Sequence, residues 1–435
     1  MSSPSASRSG TLNLEQILDE KVDWRYKSFP AGTPVTIRDV GRSAWNVLGG
    51  EFLLPIMVLK DSALRQNLRV MEHFCRAQGI SLAPHGKTHM SPQLLQMQLD
   101  AGAWGVTVAT ISQARVYRAF GAARIILANE LVDTASARWA AEELERDSEF
   151  ELFCLVDSSR GVEWLDGALA SHGPRRRLNV LLEVGMPAGR GGCRTAGEAR
   201  EVAEAVVRSR HLRLAGVEAF EGIIHSDDQS ATLDAVDRFL AGVRDLIVDL
   251  DAAQVFDHAE EVLVTAGGSA FPDRVVRGLG GPWRLRRPVR VVVRSGCYVT
   301  HDAAHYMELS PFGGRLPDTA PLSEALEVWG AVLSQPEPGL AILGFGKRDV
   351  SFDLGLPIPR FVMRDAEPVR ALNGSAQVVA LNDQHAYLRY SGADLRVGDV
   401  VGCGISHPCT AFDKWRLIPV VDNEYRVLDA VLTYF

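Results

Sequence analysis

Ile80-Ser81-Leu82-Ala83-Pro84-His85-Gly86-Lys87-Thr88-His89 joins a short apolar run to a polar loop with one glycine, and the amphipathic stretch SPQLLQMQLDAG (91–102) follows at once. The run is the first of eight. The others are Gly105–Thr110, Arg124–Asn129, Phe150–Asp157, Leu178–Val184, Leu212–Phe220, Glu261–Ala266 and Val289–Ser295. Between them lie stretches such as ISQARVYRAFG (111–121) and TAGEAREVAEAVVRS (195–209), whose apolar residues recur at helical spacing. Nearly continuous apolar strands alternating with helices describe parallel βα units covered on both faces. Eight such units predict a closed (β/α)8 barrel, with a doubly wound open sheet as the alternative.

Outside residues 61–304 the texture changes. LEVWGAVLSQ (326–335), AQVVALND (376–383), HAYLRY (385–390), DVVGCGI (399–405) and YRVLDAVLTYF (425–435) are strand-like pieces separated by Gly, Pro and Asp turns. They predict a mainly β domain over 305–435. PVTIRDV (34–40) and LPIMVLK (54–60) also read as strands, so residues 1–60 are expected to supply a tail and strands that join that domain.

Composition narrows the function. With 435 residues the chain is long enough for a large domain and a smaller one. Acidic residues outnumber basic ones by 54 to 46, a balance that argues against a nucleic-acid backbone as partner. No apolar stretch has the length a membrane span needs. Met1–Gly10 is polar, lacks the apolar core of an export signal, and is expected as a short tail. The six cysteines (Cys75, Cys154, Cys193, Cys297, Cys403, Cys409) are scattered, so reduced thiols and a cytoplasmic location are expected.

The first run ends at Lys87. A lysine at the C-terminal end of a barrel strand points at the face where barrel active sites are built, and desolvation there yields the neutral amine a Schiff base requires. Gly86-Lys87-Thr88 also ends like a phosphate-binding P-loop, but that motif needs glycine where this chain has Ser81. Two glycine turns follow the seventh and eighth runs: Gly267-Gly268-Ser269 and Gly296-Cys297-Tyr298. Loops at these two positions commonly hold a phosphate through backbone N–H groups. Arg190 follows the fifth run and Arg294 lies at the end of the eighth, as contacts to the cofactor's phenolate oxygen or ring nitrogen or as members of structural ion pairs. In the β domain, His407-Pro408-Cys409 places an imidazole and a thiol two residues apart, on one face if the chain is extended. Nitrogen with sulfur favours Zn2+, and two protein ligands leave positions open for substrate, with Cys403 as the extra candidate. Asn382-Asp383-Gln384-His385 forms a polar cluster that is either a turn or part of a site.

In order along the chain, P-H-G-K-T-H (84–89), V-A-T-I-S-Q-A (108–114), A-G-R-G-G (188–192), G-V-E-A-F-E-G (216–222), A-G-G-S (266–269), R-S-G-C-Y (294–298) and H-P-C-T-A-F-D-K-W (407–415) resemble the D-serine dehydratase/D-threonine aldolase-like family. Members are fold type III pyridoxal-phosphate enzymes, related in their barrel to alanine racemase. The resemblance implies that Lys87 carries pyridoxal 5'-phosphate. It places Thr110 near the ring, and Ser269 with the Gly296–Tyr298 turn at the phosphate. His407 and Cys409 become the Zn2+ ligands. Family aldolases tend to have Asp where this chain has Cys409, so the dehydratase branch is implied: a β-hydroxy D-amino acid such as D-serine or D-threonine converted to a 2-oxo acid and ammonia. A homodimer is implied as well. The alternatives are a retro-aldol enzyme, a non-catalytic cofactor carrier, and a racemase using Tyr298, Tyr306 or Tyr387 as a second base.

Overall fold

The structure is a computed structural model that describes residues 10–30, 32, 35–365 and 367–435, so the expected tail Met1–Gly10 lies outside the described residues apart from Gly10. Two units are present. One contains Glu72–Lys87 and Gln98–Gly296, together with the segment ending at Leu12; the other contains Asn13–Met71, Thr88–Met97 and Cys297–Phe435.

Strands are numbered along the chain. β1 (Lys21–Val22) and β2 (Val35–Thr36) form a small antiparallel pair, and β3 is Ile56–Lys60. In the first unit β4 (Ser81–Leu82), β5 (Val106–Val108), β6 (Arg124–Glu130), β7 (Glu151–Val156), β8 (Leu178–Val184), β9 (Leu212–Ala219), β10 (Val262–Ala266) and β11 (Val289–Val293) coincide with the eight apolar runs. All pair in parallel, in the order β4-β11-β10-β9-β8-β7-β6-β5. The ends of this sheet meet. Trp104 N–H donates to the Leu82 carbonyl (2.7 Å), Thr107 N–H donates to Pro84 (2.9 Å), and His85 bridges to Thr107 in parallel. The barrel expected from the sequence is therefore the fold of this unit.

Its interior is packed rather than hollow. Ala83, Ile126, Phe153, Leu155, Leu181, Ala215, Leu263 and Val292 form one buried cluster, with Trp104 against it. After β5, β6, β7, β8 and β9 the chain enters a helix through an N-cap, namely Thr110, Asp133, Ser158, Thr195 and Asp228, whose side-chain oxygens accept backbone N–H groups. These caps sit beyond the C-terminal ends of the strands. Strand rigidity and helix N-termini thus converge on one rim of the barrel.

In the second unit β12 (Leu326–Glu337), β13 (Leu340–Leu343), β14 (Ile358–Met363), β15 (Arg370–Ala371), β16 (Ala376–Leu381), β17 (Ala386–Tyr390), β18 (Val400–Gly404), β19 (Leu417–Val421) and β20 (Val427–Leu432) complete a sheet that also takes in β3. β3 pairs antiparallel with β12 and parallel with β19. Trp329 lies buried at the centre, its Nε1 donating to Glu327 (3.0 Å), which also accepts the Tyr425 hydroxyl (3.0 Å). Gly402 faces it, and a Cβ there would stand 2.6 Å from the indole. One expected strand is corrected: in PVTIRDV, whose Pro34 lies outside the described residues, Val35–Thr36 is extended but Ile37–Arg42 coils into a 3-10 helix that buries Ile37 and Val40. Asn382–His385 is a hairpin turn between β16 and β17, closed by Asn382 N–H on the His385 carbonyl (2.8 Å).

Leu181 is fully buried within the barrel cluster. Leu181→Ala is expected to lower unfolding free energy by about 2–5 kcal/mol, the usual result of losing transfer energy and leaving a cavity. Urea denaturation followed by circular dichroism measures it, and a loss under about 0.5 kcal/mol would show that the barrel is not filled as described.

Candidate active site

Lys87 leaves β4 through the single 3-10 turn Gly86–Thr88, and it is the only lysine in the barrel unit. The turn is held from several directions. His85 N–H donates to the Arg294 carbonyl (3.3 Å), and the Tyr117 hydroxyl donates to the Gly86 carbonyl (2.7 Å). Position 86 has no room for a side chain, because a Cβ there would lie 2.5 Å from the Tyr117 ring. The Lys87 side chain is exposed rather than buried, so the protein alone does not withdraw it from water as the sequence reading expected. The neighbouring His85 imidazole is different. Burial, then the charges of Lys87, Arg294 and Arg190, hold it well below its ordinary pKa, and it is neutral. Its Nδ1 is buried without a hydrogen-bond partner, a polar atom still waiting for one.

The two glycine turns stand side by side: the Ser295 hydroxyl donates to the Gly268 carbonyl (2.7 Å), so Gly267-Gly268-Ser269 and Ser295-Gly296 share one end of the barrel. Gly267 has φ +98°, a conformation that favours glycine. Arg294 is fully buried in an ion pair with Glu218, and it also donates to Thr265 (2.8 Å) and the Ala219 carbonyl (3.2 Å), while its Nε has no partner. Arg190 lies over the Phe220 ring (4.5 Å). Thr110 caps the helix Ile111–Ala119, accepting from Gln113 N–H (3.3 Å), and lines a cleft with Arg115, Asn129 and Arg138. An exposed amine at a strand end, an orphaned imidazole nitrogen and paired glycine turns fit an aldehyde-bearing phosphate cofactor.

The sequence reading missed a group of carboxylates. Glu130, Asp157 and Glu183 bring oxygens within 4.8 Å of one another. Burial first, then the hydrogen bond with Glu130 and the Glu218 charge, hold Glu183 far above the carboxylate range, so it keeps a proton at neutral pH. Glu221 accepts from Gly268 N–H (3.3 Å) and burial pushes it up to about 7. These residues sit at or just beyond the C-terminal ends of the neighbouring strands β6, β7, β8 and β9, so the parallel sheet, not local spacing, assembles them.

The second unit contains a thiol–imidazole centre. His407 and Cys409 are not on an extended strand, as the sequence reading assumed: Pro408 is helical and Cys409 opens the short helix Cys409–Phe412. The two side chains nevertheless sit close enough to shift each other's ionisation. Cys297 Sγ lies 3.5 Å from that of Cys409, and Cys403 is buried on β18. Cys409 is also 3.4 Å from Thr88 Oγ1. His407 Nδ1 is 2.7 Å from Asp353 Oδ2, and the Thr410 hydroxyl donates to Asp353 Oδ1 (2.6 Å). A carboxylate on Nδ1 fixes the tautomer and leaves Nε2 for a metal, an outer partner that metal-bound histidines usually have. A thiolate with an imidazole suits Zn2+. Of the three tyrosines considered as a second base, Tyr387 accepts from Asn382 in the hairpin (3.0 Å), Tyr306 hydrogen-bonds Cys297, and Tyr298 is buried.

Charge at this centre is asymmetric. The hydrogen bond from Cys297, then contact with His407, holds the Cys409 thiol well below its ordinary value despite burial, while Cys297 is pushed well above. Burial alone would lower His407, but Cys409 and Asp353 outweigh it and raise the imidazole to about 9. In metal-free protein Cys409 is therefore the more acidic thiol of the pair. Its iodoacetamide labelling rate should change less than about twofold between pH 7 and 9, where an ordinary thiol of pKa ~8.5 gains more than tenfold. Mass spectrometry of labelled peptides reads the rate, and an ordinary thiol profile at Cys409 would refute the charge assignment.

Comparisons with known proteins bear on the family. Residues 60–256 match the family model "Alanine racemase, N-terminal domain", and residues 325–421 match "Putative serine dehydratase domain". The chain is 26% identical over 355 residues to 3-hydroxy-D-aspartate aldolase of Paracoccus denitrificans (strain Pd 1222), covering 80% of this chain and 83% of that protein. D-threonine aldolase from Filomicrobium marinum has a similar fold, with TM-score 0.71 at 23% identity over 88% of this chain and 95% of that one. So does D-threo-3-hydroxyaspartate dehydratase from Delftia sp. HT23, with TM-score 0.66 at 20% identity over 88% and 97%. Solved forms of D-threo-3-hydroxyaspartate dehydratase also include a cysteine-to-alanine mutant in the metal-free form and a histidine-to-alanine mutant. The resemblance carried by the motifs is thereby borne out: the chain is similar in sequence and fold to the alanine-racemase-like, fold type III pyridoxal-phosphate enzymes.

Proposed function

We propose that the chain is a lyase that acts on a β-hydroxy D-amino acid, such as D-serine or D-threonine, and eliminates the β-hydroxyl to give a 2-oxo acid and ammonia. The observation that carries this reading is the His407–Cys409 pair with Asp353 on the imidazole Nδ1. In D-threo-3-hydroxyaspartate dehydratase the histidine and cysteine replaced by alanine are also two positions apart, and the cysteine mutant is described as metal-free. That spacing supports a metal at the corresponding pair here.

Lys87 would bind the cofactor through its amine, with backbone groups of Gly267, Gly268, Ser269, Gly296, Cys297 and Tyr298 around the phosphate. When bound, pyridoxal phosphate supplies a sink for the electrons left at Cα, and Zn2+ supplies Lewis acidity at the β-oxygen. Lys87, its amine freed by substrate, takes the Cα proton. His407 and Cys409 would hold the metal, and Asp353 would keep the imidazole in the metal-binding tautomer. His85, held neutral with its Nδ1 buried, adds a polar atom beside Lys87 without adding charge. For D-threonine the balance is loss of one water, then hydrolysis by one water, giving 2-oxobutanoate and ammonium.

Retro-aldol cleavage is the second reading, favoured by the similarity to 3-hydroxy-D-aspartate aldolase over 80% of this chain. It breaks Cα–Cβ instead and needs a base to take the hydroxyl proton. A carboxylate beside the metal suits that task, and this chain has the thiol of Cys409 there.

Product analysis separates the two. Holoenzyme incubated with D- and L-isomers of serine, threonine and 3-hydroxyaspartate is expected to turn D-threonine into equal amounts of 2-oxobutanoate and ammonia. Chelation should stop turnover and Zn2+ restore it, and Asp353→Asn should lower kcat about 10–100-fold. Glycine accumulating in step with substrate loss, without 2-oxo acid, would establish the aldolase reading.

A further inference from the structure

The carboxylates at the barrel rim have no part in the reaction outlined above. We propose that Glu130, Asp157 and Glu183 form a binding site for a hard divalent cation of the Mg2+, Mn2+ or Ca2+ class. Its donors are all oxygen and all lie in the barrel unit, so the proposal does not rest on the His407–Cys409 reading.

Three observations carry it. First, Glu130 ends β6, Asp157 follows β7 and Glu183 lies near the end of β8, and these neighbouring parallel strands bring one oxygen of each within 4.8 Å of the others. Donor oxygens at ~2.1–2.5 Å from one ion stand no more than roughly 4–5 Å apart. Second, Glu183 is only 7% exposed, and its Oε2 is buried with no hydrogen-bond donor. Glu130 Oε1 is buried without a donor in the same way. Both oxygens face Gly191, where a Cβ would stand 2.5 Å from Glu183 Oε2 and 3.4 Å from Glu130 Oε1. Two acceptors turned to one point, with no N–H between them, call for something positive: a proton or a cation. Third, the loop that follows β8 folds back over these acids and leaves their oxygens free. Cys193 N–H donates to the Glu183 carbonyl (2.8 Å), and Gly185 N–H donates to the Cys193 carbonyl (3.0 Å). Gly192 N–H orients Asp157 through its Oδ2 (3.1 Å). The Arg194 guanidinium is engaged by the carbonyls of Gly191 (2.6 Å) and Gly192 (2.8 Å).

Charge gives the site its chemistry. Glu183 faces Glu130, Asp157 and Glu218, while the cations Arg294 and Arg190 act on Glu218. With no ion bound, Glu183 keeps a proton. A cation takes that place, so the free ion and the protonated carboxyl become the bound ion and one proton in solution. Affinity therefore rises with pH up to about 9, where Glu183 gives up its proton unaided. Carboxylates alone suit Mg2+, Mn2+ and Ca2+. An ion held here ties the ends of three strands to the loop that carries Arg190.

Mn2+ is the probe. Chelator-treated holoenzyme is titrated with it, and the electron paramagnetic resonance signal of the free ion reports binding. Wild-type protein is expected to bind Mn2+ that Mg2+ or Ca2+ displaces, with about one proton released per ion near pH ~8. Glu183→Gln, which keeps the shape of the protonated acid, and Asp157→Asn should each weaken binding at least about tenfold. Cys409→Ser should leave this Mn2+ in place. Anomalous diffraction from Mn2+-soaked wild-type crystals, which needs no variant to fold, should place the ion among Glu130, Asp157 and Glu183. Wild-type protein that binds no Mn2+ at about 1 mM overturns the proposal, as does Mn2+ held only at His407 and Cys409 with affinity unchanged in Glu183→Gln. Either result leaves the dehydratase reading standing.

Discussion

A parallel barrel has one seam, and here it determines the site. Residues 82–85 must pair with Val293 and Arg294 on one side and with residues 104–107 on the other, although β4 itself is only two residues long. The pairing continues through Pro84 and His85, so the backbone is fixed up to the residue before Gly86. The tight approach of Tyr117 then fixes Gly86. Lys87 is the first residue beyond this double constraint, which gives a rigid base and an exposed amine. A lysine one residue earlier would have replaced the glycine that the Tyr117 ring requires.

The same closure concentrates charge that no single strand could hold. Glu183 and Glu218 are directly paired in the β8–β9 register, and Glu218 meets Arg294 from β11's end. Burying an unpaired carboxylate is costly, so the structure answers in two ways: a guanidinium for Glu218 and a retained proton for Glu183. Neutral His85 follows the same rule, since a cation there would face Lys87, Arg294 and Arg190. The barrel rim is thus a place where protons are held and released near neutrality, which suits chemistry that moves a proton at Cα.

Much of this was legible in the sequence, for definite physical reasons. The eight runs are buried on both faces, so composition alone marked them, and β8 and its neighbours ended where the apolar letters ended. Lys87, the two glycine turns and His407–Cys409 stood out because each carries a residue type with few other uses at a strand or loop end. What was not legible depends on distance along the chain. Asp353 is 54 residues from His407, and Cys297 is 112 residues from Cys409, so no local spacing reveals either pairing. Cys297 was read for its backbone in a phosphate turn, while its side chain joins the thiol centre. The H-x-C unit was read as extended because strands flank it, but Pro408 takes helical angles and turns the chain. PVTIRDV failed likewise: its alternation fits a strand, yet Ile37 and Val40, three apart, bury the inner face of a 3-10 turn.

The central claim is that Lys87 alone anchors the cofactor, and the chain is well suited to testing it, with six lysines in all and one in the barrel unit. Borohydride reduction of the yellow holoenzyme, followed by peptide mapping, should place the phosphopyridoxyl group on the peptide containing Lys87 and on no other. Lys87→Ala protein should retain no borohydride-fixable cofactor. Label on Lys21, Lys27, Lys60, Lys347 or Lys414, or stoichiometric label persisting in Lys87→Ala, would contradict the account.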